Sequence, residues 1–318
     1  MALHKQLNDN TDRILIIGAG SKVAEAISRI LAMSPLKHEL FQITSGISKQ
    51  SVPDEKFVFR CDVTNRKEIK DFCLHIQPTI IINTAAYTNV DKAETERQIA
   101  WQVNVNAVEN LVAVCRLIDA HLIHFSTDYI FDGEHGPYSE TDKPNPLGYY
   151  AKTKMAGENV CIGGNIDHTI IRTNVLYGAT KTLKHDFVIW TLNKLSENKP
   201  FSVVDDQFSN PTLLDDIGYL VEKIIRRKAQ GIFHAGGADW LSRFEFARKI
   251  ARIFRENEQL ISPIKTVELQ QAAPRPLHGG VIPYKAETMF GIRFSSVESG
   301  LSTMRRQLQI AGNHQWTL

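Results

Sequence analysis

Residues 13–24 read RILIIGAGSKVA, and this stretch decides the fold. Its first half, residues 13–18, is an apolar run that ends in glycine, which is typical of a strand buried on both faces. Residues 21–33 then carry apolar side chains at helical spacing. A buried strand, a tight glycine turn and a helix together predict the opening of a βαβ unit.

The same alternation of strand and helix continues through the first half of the chain. Further strands are predicted at residues 39–44, 57–61, 79–83, 121–126 and 169–173. Further helices are predicted at residues 67–76, 99–118 and 151–160. Strands that alternate with helices favour a parallel sheet covered on both faces. We therefore predict the α/β class and a Rossmann-type, doubly wound parallel sheet.

The alternation weakens after about residue 174. Helices are predicted at residues 186–195 and 243–254, short strands at residues 201–204 and 231–234, and loops across the proline-containing residues 263–291. We therefore predict a dinucleotide-binding Rossmann domain over residues 12–173. Residues 174–318 are predicted to form mainly a smaller, substrate-binding lobe, interleaved with the first domain.

The composition excludes several classes of protein. The 318 residues include 37 Lys and Arg against 35 Asp and Glu, so no excess charge indicates a nucleic-acid partner. The first dozen residues are polar, and no apolar run reaches the ~18 residues that span a bilayer. We expect a cytoplasmic protein without a membrane partner. The scattered cysteines, without a Cys-x-x-Cys pair, predict free thiols and no metal site: Cys61, Cys73, Cys115 and Cys161.

The glycine turn after the first strand is an imperfect dinucleotide-binding motif. As G-x-x-G-x-x-G it retains Gly18 but has Ser21 and Ala24, and as G-x-G-x-x-G it ends in Val23. A helix N-terminus that follows such a turn offers free N–H groups to a pyrophosphate, although a plain strand–helix connection would look similar. The cofactor-binding residues predicted here are Gly18, Gly20, Ser21, Lys22 and Val23.

The end of the second strand bears on the choice between NADPH and NADH. Residues 42–45 contain no carboxylate to hold the adenosine ribose of NAD. Lys49 lies nearby and could neutralise a 2′-phosphate, although a solvated loop lysine is an equally good interpretation. We expect NADPH or NADH as the cofactor, with NADPH favoured.

Tyr150 and Lys154 lie four residues apart and would share one face of a helix. Carbonyl reduction needs a proton donor, and a neighbouring ammonium group is expected to lower the pKa of a tyrosine. The adjacent Tyr149 is a rival, but its partner at the same spacing would be Thr153, which has no charge. Thr127 ends the fifth strand, at the edge of the sheet where α/β proteins bind ligands.

Five longer segments give the chain a resemblance to a known family. They are residues 82–96, 126–133, 145–158, 203–212 and 231–247, which include INTAAYTNVDKAETE, STDYIFDG and NPLGYYAKTKMAGE. Over residues 13–275 the chain resembles the dTDP-4-dehydrorhamnose reductase family. The resemblance implies hydride transfer from NAD(P)H to C4 of a nucleotide-linked 4-keto-6-deoxy sugar.

The resemblance also implies roles for individual residues. Tyr150 would be the proton donor, Lys154 its activator and ribose clamp, and Thr127 the hydroxyl that polarises the ketone. Asp62 and Val63 would lie by the adenine. The remaining implied contacts are Ala85, Ala86 and Tyr87 along the cofactor path, and Asp128 and Tyr129 beside the substrate. The last two could instead be a turn residue and a packed aromatic ring.

The chain departs from the family pattern on its substrate side. Asn174 stands where the family commonly has a tryptophan in the sugar pocket, which makes Asn174 a candidate substrate-binding residue. Residues 275–279 read RPLHG, where the family usually has Arg-Pro-x-x-Ser. A different keto sugar is therefore open.

Two alternative functions remain from the sequence. One is a non-catalytic regulatory subunit, because a relative of this family is the β subunit of methionine adenosyltransferase. Another is an epimerase or dehydratase of the same superfamily, although a dehydratase usually carries Glu where this chain has Tyr129. The long helices 99–118 and 151–160 could form a homodimer interface or be covered within one chain.

Overall fold

The computed structural model describes residues 11–45, 57–181 and 186–312. Its strands are β1 (Asp12–Ile17), β2 (His38–Thr44), β3 (Val58–Arg60), β4 (Ile80–Asn83), β5 (His121–Thr127), β6 (His168–Thr173), β7 (Leu176–Tyr177), β8 (Phe201–Val204), β9 (Phe208–Ser209), β10 (Thr212–Leu213), β11 (Gly231–Ala235), β12 (Leu241–Ser242) and β13 (Ile261–Ile264). Seven strands form one sheet in the order β11-β6-β5-β4-β1-β2-β3. Every neighbouring pair is parallel, which confirms the predicted fold class.

Helices cover both faces of the sheet and build the second lobe. They are α1 (Lys22–Met33), α2 (Arg66–Ile76), α3 (Arg97–Trp101), α4 (Ala107–Ile118), α5 (Tyr149–Ile162), α6 (Phe187–Ser196), α7 (Leu214–Arg227), α8 (Arg243–Phe254), α9 (Tyr284–Phe290) and α10 (Val297–Ile310). Within the described residues, no helix combines the length and the apolar composition needed to cross a membrane.

The sheet is apolar on both faces because each face has its own core. Ile14 and Ile16 of β1 point into a cluster with α1, α7 and α9, whereas Leu15 and Ile17 point into a cluster with α2 and α4. All four side chains are 0–1% exposed. Burying such a side chain contributes about 1.5–3 kcal/mol, which explains why residues 14–17 of the strand are all apolar.

The second half of the chain returns to the sheet after residue 174. Helix α7 was not predicted, although Leu214, Ile217, Val221 and Ile224 form a buried stripe at helical spacing. It packs against α1 and leads to β11, which pairs with β6 at the edge of the sheet. The domain boundary at residue 174 stays a prediction. Helix α7 and strand β11, which follow it in the chain, pack into the same layers of helix and sheet as the residues before it.

Two predicted elements differ from those in the structure. The interpretation of residues 263–291 as loops is wrong for α9, because Pro283 precedes that helix and Gly291, at φ +64°, ends it. Proline and glycine mark the ends of a helix there rather than its absence. The single helix predicted at residues 99–118 is interrupted by a π-helical turn at Gln102–Asn106.

Candidate active site

Helix α5 carries two of the predicted catalytic side chains, Tyr150 in its first turn and Lys154 one turn later. Gly148 precedes the helix and has no side chain to cap it. The carboxylate of Glu94 takes that place, because its Oε1 accepts the Tyr149 N–H at 2.7 Å. A residue far away in sequence therefore fixes the start of the helix and the position of Tyr150.

Thr127 is the last residue of β5 and meets α5 at the carboxyl edge of the sheet. Its side chain is hydrogen-bonded to the side chain of Tyr150. The same hydroxyl accepts the Tyr129 N–H at 3.2 Å and donates to Asp128 Oδ1 at 3.3 Å. The structure thus brings together the Thr and Tyr that the sequence indicated, with Thr127 8% exposed and Tyr150 half-buried.

The electrostatics of the pair differ from the expectation. Burial raises the pKa of Tyr150, and the hydrogen bond with Thr127 offsets this only in part. Lys154 is 3% exposed and donates from Nζ to the Phe125 carbonyl at 2.6 Å. Burial lowers the pKa of Lys154 to about 8, while nearby Glu158 opposes that shift. The predicted depression of the tyrosine pKa is therefore absent, and Tyr150 is a neutral phenol that can donate a proton.

Tyr149, the rival of Tyr150, is occupied elsewhere. The guanidinium group of Arg97 lies 5.0 Å from the centre of the Tyr149 ring. This contact places the Tyr149 ring beside Arg97 of α3, whereas Tyr150 is the tyrosine hydrogen-bonded to Thr127, so the geometry favours Tyr150.

Asn104, from the π-helical turn, connects α5 to the chain after β4. Its Nδ2 donates to Thr153 Oγ1 at 2.9 Å and to the Tyr87 carbonyl at 3.1 Å. Its Oδ1 accepts the Tyr87 N–H at 2.8 Å. The side chain is 1% exposed, and it fixes the predicted cofactor path relative to the catalytic helix. No local sequence signal pointed to this residue, because its role depends on the irregular turn.

The glycine turn fits a dinucleotide despite its departures from the motif. Gly18 has φ +93°, and a Cβ there would lie 2.9 Å from Thr84 Oγ1. Ser21 has an ordinary φ of −73° and caps α1 by accepting the Ala24 N–H at 3.0 Å. Its hydroxyl is also 2.9 Å from Thr84 Oγ1, so it is folded back against the protein. The serine therefore leaves the mouth of the turn open to a pyrophosphate.

The neighbouring positions of the turn are tied into the fold. Gly20 also has a positive φ, +79°. Val23 packs against the core beneath β1. Lys22 forms an ion pair with Asp186, which caps α6, at 2.5 Å between Nζ and Oδ2. The lysine is thus held between the glycine turn and the second lobe, with 13% of its side chain exposed.

The other predicted cofactor contacts follow strands β3 and β4. Asp62 is half-buried and its Oδ1 accepts the Thr64 N–H at 2.9 Å, while Val63 is 6% exposed. Ala85, Ala86 and Tyr87 are half-buried just after β4. Lys49 lies outside the described residues.

Asp128 and Tyr129 line a small cleft beside the catalytic hydroxyls. The Tyr129 ring meets Tyr150 edge-on, with 6.1 Å between ring centres. Asp128 is 2% exposed, and burial raises its pKa to about 6. Asn174 is bonded to Asn210 and Thr212 instead, and its neighbour Val175 lines the cleft.

Three other residues of this cleft had no role predicted from the sequence. Phe208 and Ser209 form β9, and Arg243 is the first residue of α8. They lie within the matched segments 203–212 and 231–247, which was the signal available. Arg243 donates a hydrogen bond to the Tyr129 side chain, and its guanidinium lies 4.9 Å from the centre of the Phe187 ring.

The chain is similar to several known proteins over most of its length. A curated dTDP-4-dehydrorhamnose reductase from Aggregatibacter actinomycetemcomitans is 31% identical, covering 92% of this chain and 98% of that protein. A crystal structure of dTDP-4-dehydrorhamnose reductase from Bacillus anthracis, in complex with NADP, has a TM-score of 0.84 at 28% identity, covering 93% of this chain and 99% of that one.

Methionine adenosyltransferase 2 subunit beta from Rattus norvegicus is also similar, at 28% identity, with 90% of this chain and 85% of that protein covered. The family model described as RmlD substrate binding domain matches residues 12–310. The chain therefore belongs to the RmlD substrate binding domain family, which is the family of the dTDP-4-dehydrorhamnose reductases that its sequence resembles.

Proposed function

We propose that this chain reduces the C4 ketone of a nucleotide-linked 4-keto-6-deoxy sugar with NAD(P)H, as dTDP-4-dehydrorhamnose reductases are named for doing. The predictions of an oxidoreductase and a nicotinamide cofactor are confirmed by relatives named as reductases and by the related structure that holds NADP. The observation that carries the finer proposal is the hydrogen-bonded pair of Thr127 and Tyr150, with Lys154 one turn away.

Each catalytic group has a role that follows from its environment. The nicotinamide supplies a hydride when it is bound. Tyr150 is held as a neutral phenol, so it can donate its proton to the ketone oxygen as charge develops there. Thr127 can hydrogen-bond the same oxygen, and the buried Lys154 stabilises the phenolate that remains after proton transfer.

The proposed cofactor-binding residues remain those of the glycine turn and of the chain after β3 and β4. NADPH is favoured because the end of β2 carries Thr44 and Ser45, which have no carboxylate to repel a 2′-phosphate. Asp128 and Tyr129 are the proposed substrate contacts. Asn174 is no longer a strong candidate, because its bonds to Asn210 and Thr212 hold it in the fold.

The test is the oxidation of NADPH, and separately of NADH, with dTDP-4-dehydrorhamnose, followed by absorbance. Tyr150→Phe should lower kcat by about 10²-fold or more, because it removes the proton donor. Tyr149→Phe is the matched control and should keep nearly full activity, since Tyr149 contacts Arg97 rather than Thr127. Equal loss in both variants would reject Tyr150 as the proton donor.

The comparison with the methionine adenosyltransferase subunit keeps a regulatory role as the second candidate. Binding of NADPH can be measured separately, by quenching of protein fluorescence. Wild type that binds NADPH but reduces no 4-keto sugar nucleotide would favour the regulatory role. Tight binding by Tyr150→Phe together with lost turnover would favour catalysis.

A further inference from the structure

Arg243 forms no ion pair within the described part of the chain, although it acts electrostatically on the buried carboxyl group of Asp128. Its guanidinium rests on the Phe187 ring at 4.9 Å and donates to the Tyr129 side chain. Its backbone N–H donates to the Gln207 carbonyl at 3.0 Å, which fixes where the side chain begins. These partners orient the arginine without forming an ion pair with it, so its guanidinium N–H groups can still bind an anionic ligand.

A second arginine near Tyr129 shows the contrast. Arg275 also acts on Tyr129 electrostatically, but its guanidinium binds both oxygens of Asp91, at 2.9 and 2.7 Å. The charge of Arg275 is therefore matched inside the protein. Of these two cations, Arg243 is the one that lines the cleft and is in no ion pair among the described residues.

The cleft beside Arg243 also contains an unused hydroxyl. Ser209 is 6% exposed and lines the cleft, and its Oγ has no hydrogen-bond partner in the described part of the chain. A buried hydroxyl without a partner is costly unless a ligand or water satisfies it. The amide nitrogen of nearby Gln207 is instead engaged, because it donates to Thr266 and Gln271 at 3.0 Å each.

Tyr129 connects Arg243 to Tyr150, and the part of a substrate that lies along Tyr129 would join the two. Tyr129 touches both, through its hydrogen bond with Arg243 and through the edge-on contact of its ring with Tyr150 at 6.1 Å. In a nucleotide sugar the diphosphate is attached at C1, across the ring from C4. A sugar lying along Tyr129 with its diphosphate at Arg243 would present C4 to Tyr150.

We propose that Arg243, assisted by Ser209, binds the diphosphate of the nucleotide sugar and thereby sets which sugar carbon faces Tyr150. This inference rests on the proposed function for the class of substrate. Arginine suits the role because its planar fork of N–H donors can bind two phosphate oxygens at once. Asp128 lies near enough to Arg243 to interact electrostatically, but its oxygens accept the Gly280 N–H at 2.9 Å and the Thr127 hydroxyl at 3.3 Å rather than the guanidinium.

The test is calorimetric binding of dTDP, with deoxythymidine as the ligand that lacks phosphate. Arg243→Gln should weaken dTDP binding by about 10- to 100-fold, the usual loss for a charge-assisted hydrogen bond. Deoxythymidine binding should not change. Arg243→Lys should keep part of the affinity, and Ser209→Ala should weaken dTDP binding by a few-fold.

Arg252→Gln is the matched control, because it removes the same charge from α8 at a site paired with Glu258. It should leave dTDP binding unchanged. Unchanged dTDP affinity in Arg243→Gln would overturn the inference, as would equal weakening of dTDP and deoxythymidine, which would indicate a structural role. Wild type that binds neither dTDP, UDP, GDP nor pyrophosphate would also overturn it. Binding is measured without turnover, so failure here is distinct from failure to oxidise NADPH.

Discussion

The carboxyl group of Asp128 is buried at the candidate active site, and this burial reduces the stability of the fold near neutral pH. The residue is 2% exposed between Thr127 and the proposed substrate cleft. Its two oxygens take hydrogen bonds from the Gly280 N–H and the Thr127 hydroxyl. Burial nevertheless raises the pKa of Asp128 to about 6, because these bonds do not replace the lost hydration of the charged form.

The raised pKa predicts a dependence of stability on pH. The folded state binds a proton at Asp128 more tightly than the unfolded state, so this contribution is present at low pH and is lost as the pH rises through about 6. Asp128→Asn removes the effect. Relative to wild type, the variant should gain on the order of 2 kcal/mol between pH 4 and pH 7, measured by urea unfolding.

Asp142 provides a control of opposite sign. It is exposed, and hydrogen bonds from the backbone and side chain of Ser139 lower the pKa of Asp142. Its contribution is therefore present above the ordinary pKa of an aspartate and is lost as the pH falls. Asp142→Asn should lose stability relative to wild type as the pH rises from 3 to 5. If the difference between Asp128→Asn and wild type were constant with pH, the burial argument would be wrong.

At the scale of elements, helix α5 depends on a contact that its own sequence does not contain. Gly148 offers no capping side chain, and Glu94 supplies the acceptor for the Tyr149 N–H. A carboxylate at a helix N-terminus also interacts favourably with the helix dipole. Because Tyr150 lies in the first helical turn, the cap links the stability of α5 to the geometry of the active site.

Glu94→Ala should therefore affect stability and activity together. The loss of the cap is expected to lower the free energy of unfolding by about 1 kcal/mol, and fraying of the first turn should lower kcat more than it changes KM. Glu94→Gln keeps an acceptor oxygen and is expected to retain most of both. Urea unfolding and NADPH oxidation measure the two effects. A normal kcat in Glu94→Ala would show that Tyr150 is positioned without the cap.

At the scale of the whole molecule, the sheet is completed by chain that comes after the predicted domain boundary. The cluster on the α1 face includes Ile217, Leu220, Ile224 and Phe233, all 0% exposed. Strand β11 covers the edge of β6 through five parallel residue pairs. Removing these elements would expose both the apolar face of α1 and a long sheet edge.

A fragment that ends at residue 173 tests this dependence. It should lack a cooperative urea transition and bind the dye ANS, because half of the cluster beneath α1 is missing. A fragment that ends at residue 235 restores α7 and β11 and should recover a cooperative transition at lower urea than the full chain. Cooperative unfolding of the shorter fragment would instead support residues 12–173 as an independent domain.

The sequence alone determined the order of strands and helices in the first half of the chain and indicated Thr127, Tyr150 and Lys154. Those features depend on local spacing, such as the four residues between Tyr150 and Lys154. The tertiary structure decided the pairing of β11 with β6, the cap from Glu94 and the contact of Arg243 with Tyr129. These contacts join residues far apart in the chain, and burial also reversed the expected shift in the pKa of Tyr150. Local periodicity carries no information on such contacts, because they form only when packed elements bring distant side chains together.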